Sequence, residues 1–279
     1  KPPSGSEGVE IAAHYRHERS IPDGQSAQGA TPQWGAWKPR FFTTSLGFAV
    51  AEKRTDQQLS SEIRDLIRSL QLKLVSRLDG IENTAQQRLL RLYDVWRQVI
   101  LRRTTDTADG ALSFFEQQRL VPACILTRSV VETTAVQYYV HKKLILHTEE
   151  ADHQSIHKLF MSAVFGRKDQ DWRQTPIQVL TAMDHLDKKF PGFRSEYDRL
   201  CEYVHPNLAG GYGTYVRRED DHFVSYFGNN PQGLEMGPWG QMELSIALTV
   251  ANEIDHQLCL FHPQLVSMAE QHVPNTPPN

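Results

Sequence analysis

The chain has 279 residues, 39% of them hydrophobic and 23% charged, with a formal net charge of −3 at neutral pH. That make-up supports a buried core and excludes both a strongly basic chain that coats nucleic acid and a low-hydrophobicity disordered one. No apolar run reaches the ~18 residues that a membrane span needs.

Cys124, Cys201 and Cys259 are few, odd in number and far apart, which fits neither a disulfide framework nor a zinc ligand set. A reducing, cytoplasmic setting is therefore expected.

Residues 1–54 are rich in Gly, Pro, Ser and Gln and show no sustained period. They read as an extended arm, anchored by Trp34, Trp37, Phe41 and Phe42 on the body or on a partner subunit. Helical patterning starts at Thr55. Thr55-Asp-Gln-Gln58 is a capping box, and Leu59, Ile63, Leu66, Ile67, Leu70, Leu74 and Leu78 recur at helix spacing up to a stop at Gly80. Thr84 and Gln87 form a second box, ahead of a stripe of Ala85, Leu89, Leu92, Trp96 and Ile100. The two helices read as a hairpin across a short turn.

A short helix is expected over 108–119 and a long apolar one from Pro122 to His147, with the proline at its first position. A helix over 150–165 follows, then a polar loop. Thr175-Pro-Ile-Gln178 reads as another capped start, and Pro191 resets the chain into a helix ending at His205. Asn207 to Gly213 reads as a flexible loop. Thr214–Arg217 and His222–Phe227 read as a β-hairpin that needs support from the body. A last helix over 238–261 turns Leu244, Leu248, Ala251 and Leu258 inward. The domain plan is an arm over 1–54, a helical domain over 55–265 and a loose tail over 266–279. The fold class is all-α, a helical bundle with a small β-hairpin insertion and an extended N-terminal arm.

Two constellations carry candidate chemistry. Arg128 and Glu132 lie one turn apart in an apolar helix, so each needs a partner if buried. An Arg preceding a Glu is the weaker order of an i,i+4 pair, which leaves two readings: a tie between helices, or one polar wall of a cleft. The second constellation is Tyr197-Asp-Arg-Leu-Cys-Glu-Tyr-Val-His-Pro-Asn207, which holds Arg199, Glu202, His205 and Asn207. An Arg fork can hold a phosphate and a His can move protons at neutral pH. On an ideal helix, Arg199 and His205 stand about 9 Å apart along the axis and roughly 120° apart around it, so Pro206 has to bend His205 back for the two to converge. The alternative is that His205 simply caps the helix end.

Arg199-Leu-Cys-Glu-Tyr-Val-His205, late in a helical bundle, resembles the Arg/His motif of the HEPN superfamily. Together with Arg128-Ser-Val-Val-Glu132 it is similar to a bacterial branch allied to that superfamily, over roughly residues 85–260. The resemblance implies a metal-independent endoribonuclease or RNA-binding protein of a bacterial defence or toxin system, needing no cofactor. It also implies a homodimer or a protein partner, and RNA as the ligand. Arg199 would steady the phosphate and His205 would act as acid or base, with Arg128, Glu132, Glu202 and Asn207 lining the cleft. The residue after the Arg, usually polar in active members, is Leu200. Other members are non-catalytic interaction modules, which is the alternative reading.

A third reading comes from Glu-x-x-His at Glu150/His153, Glu202/His205 and Glu253/His256, the spacing of di-iron carboxylate bundles. The helical wheel puts Glu253 opposite Leu244, facing solvent. Finally, Arg217 and Arg218 with Tyr212, Tyr215, Tyr226 and Phe227 form an aromatic-basic set suited to RNA, beside the acidic Glu219, Asp220 and Asp221.

Overall fold

The computed structural model describes residues 55–78, 84–168, 174–219, 224–230 and 236–271. The arm with its Trp and Phe anchors, the Gly80 stop, the hairpin turn at 220–223 and the residues after 271 lie outside the described residues. Helices account for 80% of the described residues, with one two-stranded sheet, so the fold is all-α.

The elements in order are α1 (Asp56–Gln71), α2 (Ala85–Glu116), α3 (Leu120–Glu149), α4 (His153–Phe165), α5 (Val179–Lys189) and α6 (Phe193–Val204). A π-helical turn (Leu208–Tyr212), the single turn α7 (Gly213–Tyr215), strands β1 (Val216–Glu219) and β2 (Val224–Phe227) and the long α8 (Gly237–Gln271) complete the chain. α3 is the central element and packs on α2, α4, α5, α6 and α8.

Local chemistry explains most of the boundaries. Both expected capping boxes are present: Thr55 and Thr84 each accept from the backbone N–H three residues on, and Gln58 and Gln87 reach back. Leu59, Ile63, Ile67 and Leu70 are buried, as are Leu89, Trp96 and Ile100. α1 ends at Gln71, however, before Leu74 and Leu78.

The described start of the connection, residues 72–78, stays against α2. Arg64 pairs with Glu116, whereas Val75 accepts from Arg102 through its carbonyl and donates its N–H to Gln98. Rising numbers on α1 meet falling numbers on α2, so α1 runs antiparallel to the second half of α2, as the hairpin reading expects.

Four further expectations change. The separate helix over 108–119 is the C-terminal part of α2, because Ala108, Ala111, Leu112 and Phe115 continue its buried stripe. α3 starts two residues before Pro122, which still falls in the first turn where its missing donor costs nothing. Thr175-Pro-Ile-Gln178 is not helical: α5 starts at Val179 with Gln178 as its N-cap and no side-chain cap. α8 runs past Phe261 and Pro263 to Gln271, with Leu265, Met268 and Ala269 buried, so residues 266–271 belong to the helical body.

One buried charge cluster holds the bundle. Asp255 of α8 is fully buried and accepts two hydrogen bonds from Arg97 of α2, at 2.7 and 3.0 Å, while Lys73 approaches to 3.0 Å. Two cations on one desolvated carboxylate offset its cost of leaving water, and the bidentate fork fixes the relation of α2 to α8. Beside it, Tyr93 donates from its hydroxyl to the Leu258 carbonyl at 2.9 Å and packs edge-on against Phe160.

Candidate functional site

Arg128, Glu132 and Tyr197 form a closed triangle. Arg128 Nε donates to Glu132 Oε1 at 3.0 Å and Nη2 donates to the Tyr197 hydroxyl at 3.1 Å, while that hydroxyl donates to Glu132 Oε1 at 3.0 Å. Every member has a partner within the set, and Tyr197 carries the link from α3 to α6. Of the two sequence readings for Arg128 and Glu132, the tie between helices is the one that this geometry fits. Tyr197 supplies the third partner that the weak Arg-then-Glu order lacked; nothing in the sequence spacing marked it.

Arg199 sits on a different face. Its guanidinium lies 4.1 Å from the Trp239 ring centroid, its Nη1 is 3.9 Å from Glu196 Oε2, and Nη2 donates to Met236 Sδ. Trp239 in turn donates from its indole N–H to Glu196 Oε2 at 2.9 Å. Behind them lies Glu243 of α8, only 7% exposed. Burial, reinforced by the Glu196 charge and opposed by Arg199, pushes its carboxyl up to about 8. Nearby Cys124 is buried, and its thiol is pushed up to about 12 by that burial, so it is no nucleophile at neutral pH. The Glu196/Arg199 spacing of three was visible in the sequence; Trp239 and Glu243, some 40 residues later, were not.

His205 is the C-cap of α6, with extended backbone and an exposed side chain. Pro206 forces that geometry. Glu202 and Asn207 pair instead with each other, Asn207 Nδ2 donating to Glu202 Oε2 at 2.7 Å. Asn207 Oδ1 also accepts from the Ala209 and Gly210 amides and so caps the π-helical turn. The structure thus groups Arg128 with Glu132, and Glu202 with Asn207. It sets Arg199 among Glu196, Trp239 and Met236, and leaves His205 at the exposed helix end.

The expected flexible loop at 207–213 is a π-helical turn followed by α7. Gly210 makes it possible: a Cβ there would come within 2.3 Å of the His205 carbonyl oxygen and 2.4 Å of that of Tyr203. Thr214, buried, donates to the Ala209 carbonyl at 2.7 Å. Asn230, also buried, donates to the carbonyls of Gly213 and Val216 at 3.0 and 3.1 Å, and its own N–H goes to the Thr214 carbonyl.

These bonds give the two-stranded hairpin the support that it needs. Its register sets Val216 against Phe227 and Arg217 against Tyr226. On this scaffold Phe227 is 83% exposed and Leu208 71%, and Tyr212, Tyr215 and Tyr226 are partly exposed, at 40–47%. Arg217 lies 4.7 Å from the Tyr226 ring centroid.

The Glu-x-x-His carboxylates Glu150, Glu202 and Glu253 are all exposed, Glu253 as its place on the wheel requires. Among the described residues only His147, Glu150 and Asp152 bring three metal-capable groups within 4.8 Å, at the α3–α4 turn. There Asp152 caps α4 by accepting from the Ser155 amide. No described helix is long and apolar enough to cross a membrane. Comparison with protein-family models, curated proteins and solved structures returned no match.

Proposed function

We propose that this chain is an RNA-binding protein of the HEPN-like kind, and that it holds single-stranded RNA on the face running from His205 through the π-helical turn to the β1–β2 hairpin. The observation that carries this reading is the set of exposed rings on and beside the hairpin: Tyr226 with Arg217 against it on one face, Phe227 on the other, and Tyr215 and Tyr212 just before β1. Bases stack on such rings for about 1–3 kcal/mol each, and a neighbouring guanidinium meets the backbone phosphate.

Arg199, held by Trp239 and Glu196, acts in this proposal as a bracket between α6 and α8 rather than as the phosphate ligand. His205 is the proton-transfer group at the edge of the face. In metal-independent cleavage the 2′-oxygen attacks the adjacent phosphorus and gives its proton to a base. The P–O5′ bond breaks and O5′ takes a proton from an acid, leaving a 2′,3′-cyclic phosphate. One exposed His205 supplies one of those two roles, and a second copy would supply the other.

The test is fluorescence anisotropy with end-labelled single-stranded RNA in EDTA. Wild type binds, Phe227→Ala and Arg217→Ala bind about tenfold more weakly, and any cleavage disappears in His205→Ala. Absence of binding by wild type would sink the proposal. The second reading, a non-catalytic interaction module, draws on the apolar exposure of Leu208 and Phe227. It would be favoured by a tight dimer in sedimentation that Phe227→Asp dissociates, with no RNA bound.

A further inference from the structure

A cleft of about 370 Å³ lies between α3, α4 and the segment that leads into α5. Its volume is within the usual range for small-molecule sites. α3 contributes Lys143 and His147 to the wall, α4 contributes Lys158 and Ser162, and Thr175 and Thr181 come from either side of the α5 start.

The charges of this wall do not balance. Lys143, Lys158 and His147 line it, and no described carboxylate does. Neither lysine is ion-paired with a described carboxylate: Lys143 lies 6.0 Å from the Tyr139 ring centroid, and Lys158 is exposed. The carboxylates of the adjoining α3–α4 turn are engaged. Glu150 Oε2 lies 3.4 Å from His147 Nδ1, and Asp152 accepts from the Ser155 amide.

Positive charge continues along the rim. Lys142 Nζ lies 3.3 Å from His185 Nδ1, and the His185 ring packs edge-on against Tyr139 at 5.2 Å. Burial first, then Lys142, Lys188 and Lys143, hold His185 below the ordinary histidine range; Asp184 opposes them but is itself paired with Arg194. A chain of net charge −3 has thus gathered cations here without counter-charge. Their mutual repulsion is relieved when an anion enters.

The donor set selects the anion. A planar carboxylate is best matched by an arginine fork, and no described arginine lines the cleft. The donors are ammonium point charges from two helices and the hydroxyls of Ser162, Thr175 and Thr181, none of which is hydrogen-bonded to a described group. Donors arriving from several directions suit the tetrahedral oxygens of a phosphoryl group, and two unpaired lysines call for more than one negative charge. α5 starts at this wall without a side-chain cap or an acidic first turn, which adds a weaker attraction of the same sign. Leu159, Pro176 and Ile177 supply an apolar stretch that can take a carbon substituent.

We propose that this cleft binds a diphosphate group, free or carried on a small organic ester, between Lys143 and Lys158. The three hydroxyls serve as neutral donors to its oxygens. The site is built from other elements than the RNA face and does not rest on that reading.

The experiment is isothermal titration calorimetry of the full chain with pyrophosphate, inorganic phosphate, citrate and isopentenyl diphosphate. Pyrophosphate is expected to bind, with phosphate and citrate each at least about tenfold weaker. Tighter binding of isopentenyl diphosphate than of pyrophosphate assigns the site to an ester whose carbon part lies on the apolar stretch; equal or weaker binding assigns it to free pyrophosphate. Lys143→Ala and Lys158→Ala should each weaken pyrophosphate about tenfold. Arg68→Ala, which removes an exposed cation from α1, should leave it unchanged. Lys158→Ala should melt at the same temperature as wild type or higher, because it removes an unpaired charge from among like charges. In NMR titrations the His185 midpoint should rise when pyrophosphate saturates the protein, since the anion cancels the field of the lysines. No heat with pyrophosphate at millimolar concentration would overturn the proposal. So would citrate binding as tightly as pyrophosphate, unchanged affinity in both lysine variants, or a His185 midpoint that does not move.

Discussion

The helical body and the segment from His205 to Asn230 use opposite rules of burial. In the body, apolar stripes face inward, and the one fully buried carboxylate among the described residues, Asp255, is met by Arg97 and Lys73. In the segment, Thr214 and Asn230 are buried and bond to backbone carbonyls, while Phe227, Leu208 and three tyrosines face water. Exposing large rings forgoes the stabilisation of burying them. A fold that buries polar groups at the base of a hairpin and leaves rings in water on both of its faces has built a platform for contact. The first region explains stability; the second carries the functional reading.

The largest expected effect tests the body. Asp255→Ala strands Arg97 and Lys73 beside an emptied buried site and should cost about 3–5 kcal/mol in urea unfolding. A cost below about 1 kcal/mol would mean that the pair is not what fixes α2 to α8.

Next comes Glu243→Gln, with the opposite sign. Burial first, then the Glu196 charge, raises the folded-state carboxyl to about 8, against an ordinary value near 4.5. Below pH 4.5 both folded and unfolded chains hold that proton, and the group is neutral to stability. Between pH 4.5 and 8 the unfolded chain loses the proton while the folded chain keeps it, so stability falls as pH rises and levels off above about 8. The Gln variant lacks this fall and should gain on the order of 3 kcal/mol over wild type at about pH 8, with little difference at about pH 4. Parallel profiles of the two melting temperatures against pH would refute the assignment.

Asn230→Ala sharpens the comparison on the platform side. It leaves the Gly213 and Val216 carbonyls without their donor, for about 1–3 kcal/mol. The hairpin amides should lose hydrogen-exchange protection while those of α2 and α8 keep theirs. Uniform loss across the chain would show that the platform and body are one cooperative unit. The smallest stability effect is expected at Phe227→Ala, within about 0.5 kcal/mol of wild type. Its change should appear in RNA affinity alone; an unfolding cost above about 1 kcal/mol would make Phe227 a structural residue instead.

Much of the body was legible from sequence. Thr55 and Thr84 specified helix starts because capping is local: a hydroxyl and an amide three residues away suffice. Leu244, Leu248, Ala251 and Leu258 specified the inward face of α8 because helical periodicity is local as well. Local chemistry misled where tertiary packing outweighed it. Thr175-Pro-Ile-Gln178 has every mark of a helix start and is not one, and the two helices expected within 84–119 join because a single buried stripe runs through both.

The candidate site divides in the same way. Sequence alone determined the chemistry on hand: an Arg/Glu pair at 128 and 132, an Arg and a His six apart on α6, and an aromatic-basic hairpin. It also determined that His205 stands at a helix end, since Pro206 stops α6 by its own geometry. Only the tertiary structure decided which of these groups meet. Arg128 and Glu132 found Tyr197, Arg199 found Trp239, and Asp255 found Arg97 across more than 150 residues. Such partners are chosen by how helices pack, and helix spacing within one segment carries no information about the face another segment will present.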